Sequence, residues 1–266
     1  MPVLALSAVL LAALTHATWN LAAKRAAEAR HFVWLYSALS IALYAPIVAG
    51  IVVTTRPVFG WPHWLALAGT ATLHMAYSLA LQTGYRVSDL SLVYPIARGS
   101  GPLISFALAA LLLGESVTRL SALGMAAIVV GIALVSGMLD AEHRAPRAGI
   151  AYGLLTGALI ASYTVNDGYA VKTLLISPFI VEYSGNLVRA LVLAPRAWLD
   201  RSALRDEWHT HRRSVTIVSL LGPLGYVLIL FAMQLAPVSH VAPARELSTL
   251  FGAYLGSRVL RERAAP

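Results

Sequence analysis

Charged and strongly polar side chains recur inside the apolar stretches of this sequence, where they are energetically costly. On insertion scales an ionisable group at the centre of a membrane-spanning helix costs about 2.5–3.5 kcal/mol, so it needs a partner or a water-filled cavity. The set comprises His16, Asn20, His74, Arg98, Asn166, Asp167, Glu182, Arg189, Gln234, Arg245 and Glu246. The chemistry these groups allow is electrostatic binding of a charged molecule and exchange of protons.

Two arginines stand in similar surroundings. Arg98 lies in VYPIARGSGPL (residues 93–103) and Arg245 lies in APARELSTLFG (residues 242–252). One interpretation is that both arginines face a central cavity and attract an anionic or zwitterionic solute. The other is that each is paired with an acidic side chain, such as Glu246 or Glu182, and never contacts a substrate.

Small residues follow Arg98 at helical spacing, at Gly101, Ser105 and Ala109. Such residues let helices approach closely, and they also leave room for a ligand beside the arginine. We therefore include Ser105 among the candidate substrate-binding residues. Pro102 removes a backbone donor and can kink this segment.

The remaining candidates are aromatic, amide and titratable groups. Trp19, Asn20, Tyr163 and Glu246 are predicted to contact the substrate, although Trp19 and Tyr163 are equally explained as packing or interface aromatics. Histidine side chains in general titrate near neutral pH, so proton coupling is one role for His16 and ordinary packing is the other. A second coupling candidate is Asp167, but it is so close to the end of a span that solvation alone could satisfy it.

The composition indicates an all-α polytopic membrane protein, because the apolar residues are spread along the whole chain and are too many for a buried core. Of the 266 residues, 58% are hydrophobic and only 12% are charged, against about a quarter in soluble domains. Nine spans are predicted, at residues 3–23, 32–54, 62–85, 90–113, 117–138, 148–171, 174–195, 214–235 and 238–257. Two longer linkers occur, at 140–147 and 196–213, and the second is compatible with a short surface helix.

The two arginine segments belong to a duplication. Arg98 and Arg245 are 147 positions apart, and so are Glu115 and Glu262. The halves are residues 1–138, with five predicted helices, and 148–266, with four. Because a five-helix repeat is odd-numbered, the copies must enter the membrane in opposite directions, as in many secondary transporters. The second copy lacks its last helix, and whether the sequence is truncated there stays open.

Basic residues predict the orientation. The net charge is +8, with 20 Lys and Arg against 12 Asp and Glu. Fourteen of the basic residues fall in the loops after spans 1, 3, 5 and 7 and in the C-terminal tail, whereas three fall in the other loops. This loop pattern predicts an outside N-terminus and a cytoplasmic C-terminus, and it disfavours a nucleic-acid partner.

Signatures of enzymes are missing. The chain has no cysteine, and HExxH, P-loop and GxSxG motifs do not occur. We predict no cofactor, no metal site and no catalytic residue. Two alternatives stay open: a membrane-embedded enzyme or lipid-modifying protein that uses His16, Asp167 and Glu182 as acid/base groups, and a non-transporting membrane subunit.

The segments DLSLVYPIARGSGPL…LLLGE, PVSHVAPARELSTLFGAYLG and HATWNLAAKR resemble the EamA branch of the drug/metabolite transporter superfamily. The resemblance implies ten helices in two inverted repeats, a central cavity and both termini in the cytoplasm. This chain departs from that pattern in its missing tenth helix, in Arg261 before the terminal glutamate and in its charge-based orientation.

Resemblance and residues together predict a secondary transporter of the inner (plasma) membrane. It moves a small organic metabolite by alternating access, with export as the expected direction. The predicted partners are the solute and the lipid bilayer. A homodimer is allowed, but neither the oligomeric state nor the solute can be determined from the sequence.

Overall fold

The computed structural model describes residues 1–26, 28–88, 90–116, 118–135 and 147–248. Over these ranges the chain forms nine α-helices and no β-strand, as the predicted all-α fold requires. The helices are α1 (Val3–Lys24), α2 (Phe32–Thr55), α3 (Trp61–Val87), α4 (Leu90–Leu112), α5 (Arg119–Val135), α6 (Arg147–Lys172), α7 (Pro178–Leu199), α8 (Arg201–Leu235) and α9 (Val238–Ala244).

Five of these helices are long and apolar enough to cross a membrane, namely α1, α2, α3, α6 and α8. The 24 residues of α2, for example, extend about 36 Å and include no charged side chain. Two shorter apolar helices lie within α4 and α5, at Ile96–Leu112 and Arg119–Gly131. Large apolar side chains such as Leu11, Val53 and Leu111 are exposed, as a hydrocarbon environment allows.

Helix packing follows the duplication. α1 packs against α8 and α3 packs against α6, whereas α2 meets α7 and α4 meets α9. In the duplication, α1 corresponds to α6, α2 to α7, α3 to α8 and α4 to α9. The contact of α1 with α8 in one direction therefore corresponds to the contact of α6 with α3 in the other. The α2–α7 and α4–α9 contacts each pair a helix with its own counterpart. The architecture is therefore that of two interlocked helical repeats.

Glycines allow close packing of α4 against α6. A Cβ atom at Gly101 would lie 2.9 Å from a methyl carbon of Ile160, and one at Gly153 would lie 2.8 Å from Ile96. A Cβ at Gly157 would overlap the hydroxyl of Ser100. The space beside Gly101, which the sequence analysis offered to a ligand, is therefore filled by α6.

The charged segment 196–213 is not a linker. It is helical apart from Asp200, because α7 continues to Leu199 and α8 begins at Arg201. Glu207 holds this extension against the turn before α2 by accepting hydrogen bonds from the backbone N–H groups of Arg30 and His31, both at 2.8 Å. The prediction of a separate surface helix is thus replaced by an extension of a spanning helix.

The ninth predicted span is only partly described. α9 ends at Ala244, and the backbone then turns through Arg245 and Glu246, with the Glu246 N–H donating to the carbonyl of Pro243 at 3.0 Å. Residues 249–266, including Glu262 and Arg261, lie outside the described residues. In contrast, α4 continues through Arg98 without a break despite Pro102.

Glu115, after α4, joins the two repeats. Its carboxylate accepts hydrogen bonds from the first N–H groups of α9, those of Val238 at 2.7 Å and Ser239 at 2.8 Å, and from the Lys172 ammonium at 3.1 Å. Burial acts to raise the pKa of Glu115, but these donors outweigh it and hold the pKa below its ordinary value. Glu115 therefore caps a neighbouring helix.

Candidate functional site

Arg98 forms an ion pair across the two repeats. Its Nη1 lies 3.1 Å from Oε1 of Glu246, and both side chains are buried, with 9% of Arg98 and 4% of Glu246 exposed. α4 positions the arginine, and the turn after α9 positions the glutamate. The acidic-partner interpretation therefore describes the contact that Arg98 makes here.

Arg245 has different surroundings. Its Nη2 donates a hydrogen bond to the Tyr163 hydroxyl at 3.0 Å, and its guanidinium carbon lies 5.7 Å from the centroid of that ring. A cation over an aromatic face is stabilised by the ring quadrupole. Among the described residues, no carboxylate lies within ion-pair distance of Arg245. This arginine can therefore take a negative group without giving up an ion pair.

Tyr163 of α6 connects Arg245 to a cluster of aromatic rings. Its ring centroid lies 4.1 Å from that of His74, 5.6 Å from that of Tyr77 and 6.4 Å from that of Tyr226. The cluster is formed where α3, α6 and α8 meet. The structure thus brings Tyr163 together with Arg245, as the substrate-binding prediction requires.

Asp167 is fully buried and accepts four hydrogen bonds. Oδ1 accepts from Thr70 at 2.5 Å and from Asn166 at 3.3 Å. Oδ2 accepts from the Tyr226 hydroxyl at 2.5 Å and lies 3.0 Å from Nε2 of His74. The expectation that solvation could satisfy Asp167 is wrong: no part of the side chain is exposed, because α3 and α8 cover it.

The candidate residues of α1 have different surroundings. His16 Nε2 lies 3.5 Å from Nη2 of Arg98, and its ring meets Trp19 edge to face at a centroid distance of 4.8 Å. Asn20 is exposed and lies apart from this contact. Its counterpart in the second repeat, Asn166, instead donates to the Ala66 carbonyl at 2.9 Å, beside Asp167.

Ser105 and Glu182 do not take part in the described contacts of Arg98 and Arg245. Ser105 is buried, and its hydroxyl donates to the carbonyl of Pro102 in its own helix at 3.0 Å. Glu182 accepts from Asn186 at 2.7 Å, and Asn186 in turn accepts from Arg189 at 3.2 Å. Glu182 and Asn186 line a shallow cleft between α2, α7 and α8.

His74 is recognisable in the sequence as a polar residue of a predicted span, whereas Thr70 and Tyr226 are not among the predicted site residues. Thr70 and His74 are four residues apart on α3, so they share a helix face. That spacing was the available signal. Nothing in the sequence showed that Tyr226, 59 positions beyond Asp167, would complete the site.

The comparisons with known proteins follow this geometry. The model of the EamA-like transporter family matches residues 3–137 and 147–266. The chain belongs to this family. A match in two halves over nearly the whole chain confirms the resemblance, so the EamA-like chain is a multi-pass membrane protein of a transporter family.

Solved structures agree on the fold. Twenty chains match, and one of them, described as "Crystal structure of protein", has a TM-score of 0.72 at 17% identity, with 98% of this chain and 90% of that chain covered. At that identity the likeness concerns the fold alone. No curated protein sequence matches the EamA-like chain. Over the described ranges, no group of three or more His, Asp or Glu side chains is arranged to hold a metal ion.

Proposed function

We propose that this protein is a secondary transporter that moves a small organic solute with a negative group, as an anion or a zwitterion, by alternating access. The contact of Arg245 with Tyr163 carries the proposal. A half-buried guanidinium that is held by a phenol and an aromatic face keeps its charge available for a carboxylate or phosphate. Charged groups in such positions commonly mark substrate pathways.

The Arg98–Glu246 ion pair has a complementary role in this proposal. It joins α4 of the first repeat to the turn after α9 of the second, so relative motion of the repeats must change it. Glu246 neutralises Arg98 when no solute is present, and an incoming anion can compete for the guanidinium. His16 lies beside Arg98, and Trp19 packs edge to face against the His16 ring.

The enzyme alternative would require His16, Asp167 and Glu182 to meet in one active site, and their described hydrogen bonds do not support this. His16 lies beside Arg98, Asp167 is bound by α3 and α8, and Glu182 is hydrogen-bonded to Asn186. Each potential acid/base group is thus held by different partners. We therefore propose transport without chemical conversion, in the inner membrane, with the N-terminus outside.

The first test is uptake by proteoliposomes from a panel of amino acids, organic phosphorus compounds and nucleosides. We expect accumulation or exchange of at least one anionic or zwitterionic solute in sealed vesicles and none in permeabilised ones. Arg245→Gln should reduce that activity at least tenfold, about the effect of losing one charge-assisted hydrogen bond of 1.5–3 kcal/mol.

The matched control is Arg119→Gln at the exposed start of α5, which should transport like the unmodified protein. Full activity of a folded Arg245→Gln variant would contradict the substrate role of Arg245. Net efflux or uptake from asymmetrically loaded vesicles would establish the direction, for which the family resemblance favours export.

A further inference from the structure

The surroundings of Asp167 suit its ionised form. A carboxylate has acceptors only, so the Thr70 and Tyr226 hydroxyls and the Asn166 amide all donate to it. For the same reason, the hydrogen shared with His74 belongs to the histidine Nε2. Four donors around one buried carboxylate compensate for the loss of water.

The same surroundings also accept the protonated form. Thr70 Oγ1 lies 3.1 Å from the Ala66 carbonyl as well as 2.5 Å from Asp167. When Asp167 carries a proton, the Thr70 hydroxyl can rotate to donate to Ala66 and accept from the acid. The site thus needs no displacement of a helix to hold or release one proton.

His74 extends the site toward Arg245. Its ring is stacked at 33° on that of Tyr163, whose hydroxyl accepts from Arg245. The ring of Tyr163 therefore separates His74 from the proposed solute-binding guanidinium, and the rings of His74 and Tyr163 separate Asp167 from it. Because Asp167 is fully buried and His74 and Arg245 are half-buried, solvent screens their electrostatic coupling less than it would at the surface.

His16, the other coupling candidate, is placed less favourably. A proton on His16 would add a positive charge beside Arg98, 3.5 Å away, and near Arg245. At the Asp167–His74 pair, a proton instead neutralises a negative charge. The charged and titratable groups around this pair are Tyr163 of α6, Glu182 of α7 and Tyr226 of α8, and Arg245 lies beyond Tyr163.

We propose that Asp167 and His74 form the proton-binding site of this protein, and that its occupancy is coupled through Tyr163 to Arg245. The coupling rests on the proposed solute site, whereas the proton binding does not. Protonation removes one negative charge near Arg245 and so strengthens its attraction for an anionic group. By linkage, a bound anion raises the affinity for the proton by the same factor.

Proton binding is tested by infrared spectroscopy of the full chain in lipid vesicles, titrated from about pH 9 down to about pH 2, because four donors favour the ionised carboxylate. Protonation of Asp167 produces the C=O stretching band of a carboxylic acid, and no solute is needed. We expect this band in the unmodified protein and in Asp206→Asn, an exposed control on α8, and its loss in Asp167→Asn.

His74→Phe keeps the stacking on Tyr163 and removes the donor to Asp167. We expect the midpoint of the band to rise, because the carboxylate loses one of the hydrogen bonds that favour its ionised form. An unchanged midpoint would overturn the pairing. Identical spectra of the unmodified protein and a folded Asp167→Asn variant would overturn the proton site itself.

Coupling is tested with the solute found in the uptake screen. Asp206→Asn, the exposed control, should respond to an imposed pH gradient like the unmodified protein, whereas Asp167→Asn should lose that response. A normal response would overturn the coupling. Absence of any solute movement in the unmodified protein would instead contradict the proposed function and leave the infrared result to be judged alone.

Discussion

Arg98 and Arg245 occupy equivalent places in the two copies, yet their partners differ. Arg98 has a carboxylate, Glu246, whereas Arg245 has the hydroxyl and ring of Tyr163. A buried charge without a partner is strongly destabilising, so each guanidinium must find compensation where its own helix places it. The asymmetry lets Arg98 stabilise the contact between the repeats, while Arg245 is the arginine that we propose to bind the solute.

The Arg98–Glu246 pair predicts non-additive stability. Arg98→Gln and Glu246→Gln should each lower the free energy of unfolding by about 3–5 kcal/mol, since each leaves one buried charge unpaired. The double variant should lose less than the sum of the two. Thermal unfolding in detergent supplies the double-mutant cycle, and strictly additive losses would show that the side chains do not interact.

At the scale of elements, Glu115 holds the start of α9, and α9 in turn holds Arg245 and Glu246 at its end. A carboxylate at a helix N-terminus satisfies free N–H groups and interacts favourably with the helix dipole. The contact crosses from the first repeat to the second. It therefore positions the arginine–glutamate turn from a residue far away along the chain.

Glu115→Gln should lower the stability by about 1–2 kcal/mol near neutral pH. The folded pKa lies below the unfolded one. The contribution is therefore complete above the unfolded pKa of about 4.3 and is lost as the pH falls through the folded pKa. Thermal unfolding against pH should show a smaller difference between unmodified protein and variant in acid.

The control is Glu28→Gln, an exposed carboxyl in the α1–α2 turn, which should leave the stability and its pH dependence unchanged. A Glu115→Gln variant that differs from the unmodified protein by the same amount at every pH would show that the charge of the cap is unimportant.

For the whole molecule, the charge pattern predicts which side of the membrane each loop faces. The extension of α8 lies on the basic side, predicted to be cytoplasmic, and the α2–α3 turn lies on the other. Because the chain has no cysteine, single cysteines can report each side without a background signal. Val58 and Asp206 are exposed positions suited to this.

An impermeant maleimide should label Val58→Cys in intact cells, and it should label Asp206→Cys only after the membrane is opened. The physical reason is the bias of Lys and Arg toward the cytoplasmic side during insertion. Labelling of Asp206→Cys in intact cells would reverse the predicted orientation, and with it the side on which the N-terminus lies.

Hydropathy and the internal repeat were sufficient to predict the helical membrane fold and the family, because both are visible in the amino-acid sequence without any knowledge of tertiary contacts. They failed at the 196–213 segment, whose charge suggests a linker. There, Glu207 and the packing of α8 against the α1–α2 turn favour a helix that begins at Arg201, directly after the end of α7. They also could not show whether Gly101 makes room for a ligand or for a neighbouring helix.

The sequence alone determined which charges must lie in the membrane and that the arginine segment is duplicated. Only the tertiary structure decided their partners: Arg98 with Glu246, Arg245 with Tyr163 and Asp167 with His74. Each pair comes from helices or turns far apart in sequence, and a contact near 3 Å depends on how those elements are rotated and placed. A helix turns about 100° per residue, so local periodicity alone does not determine such pairings.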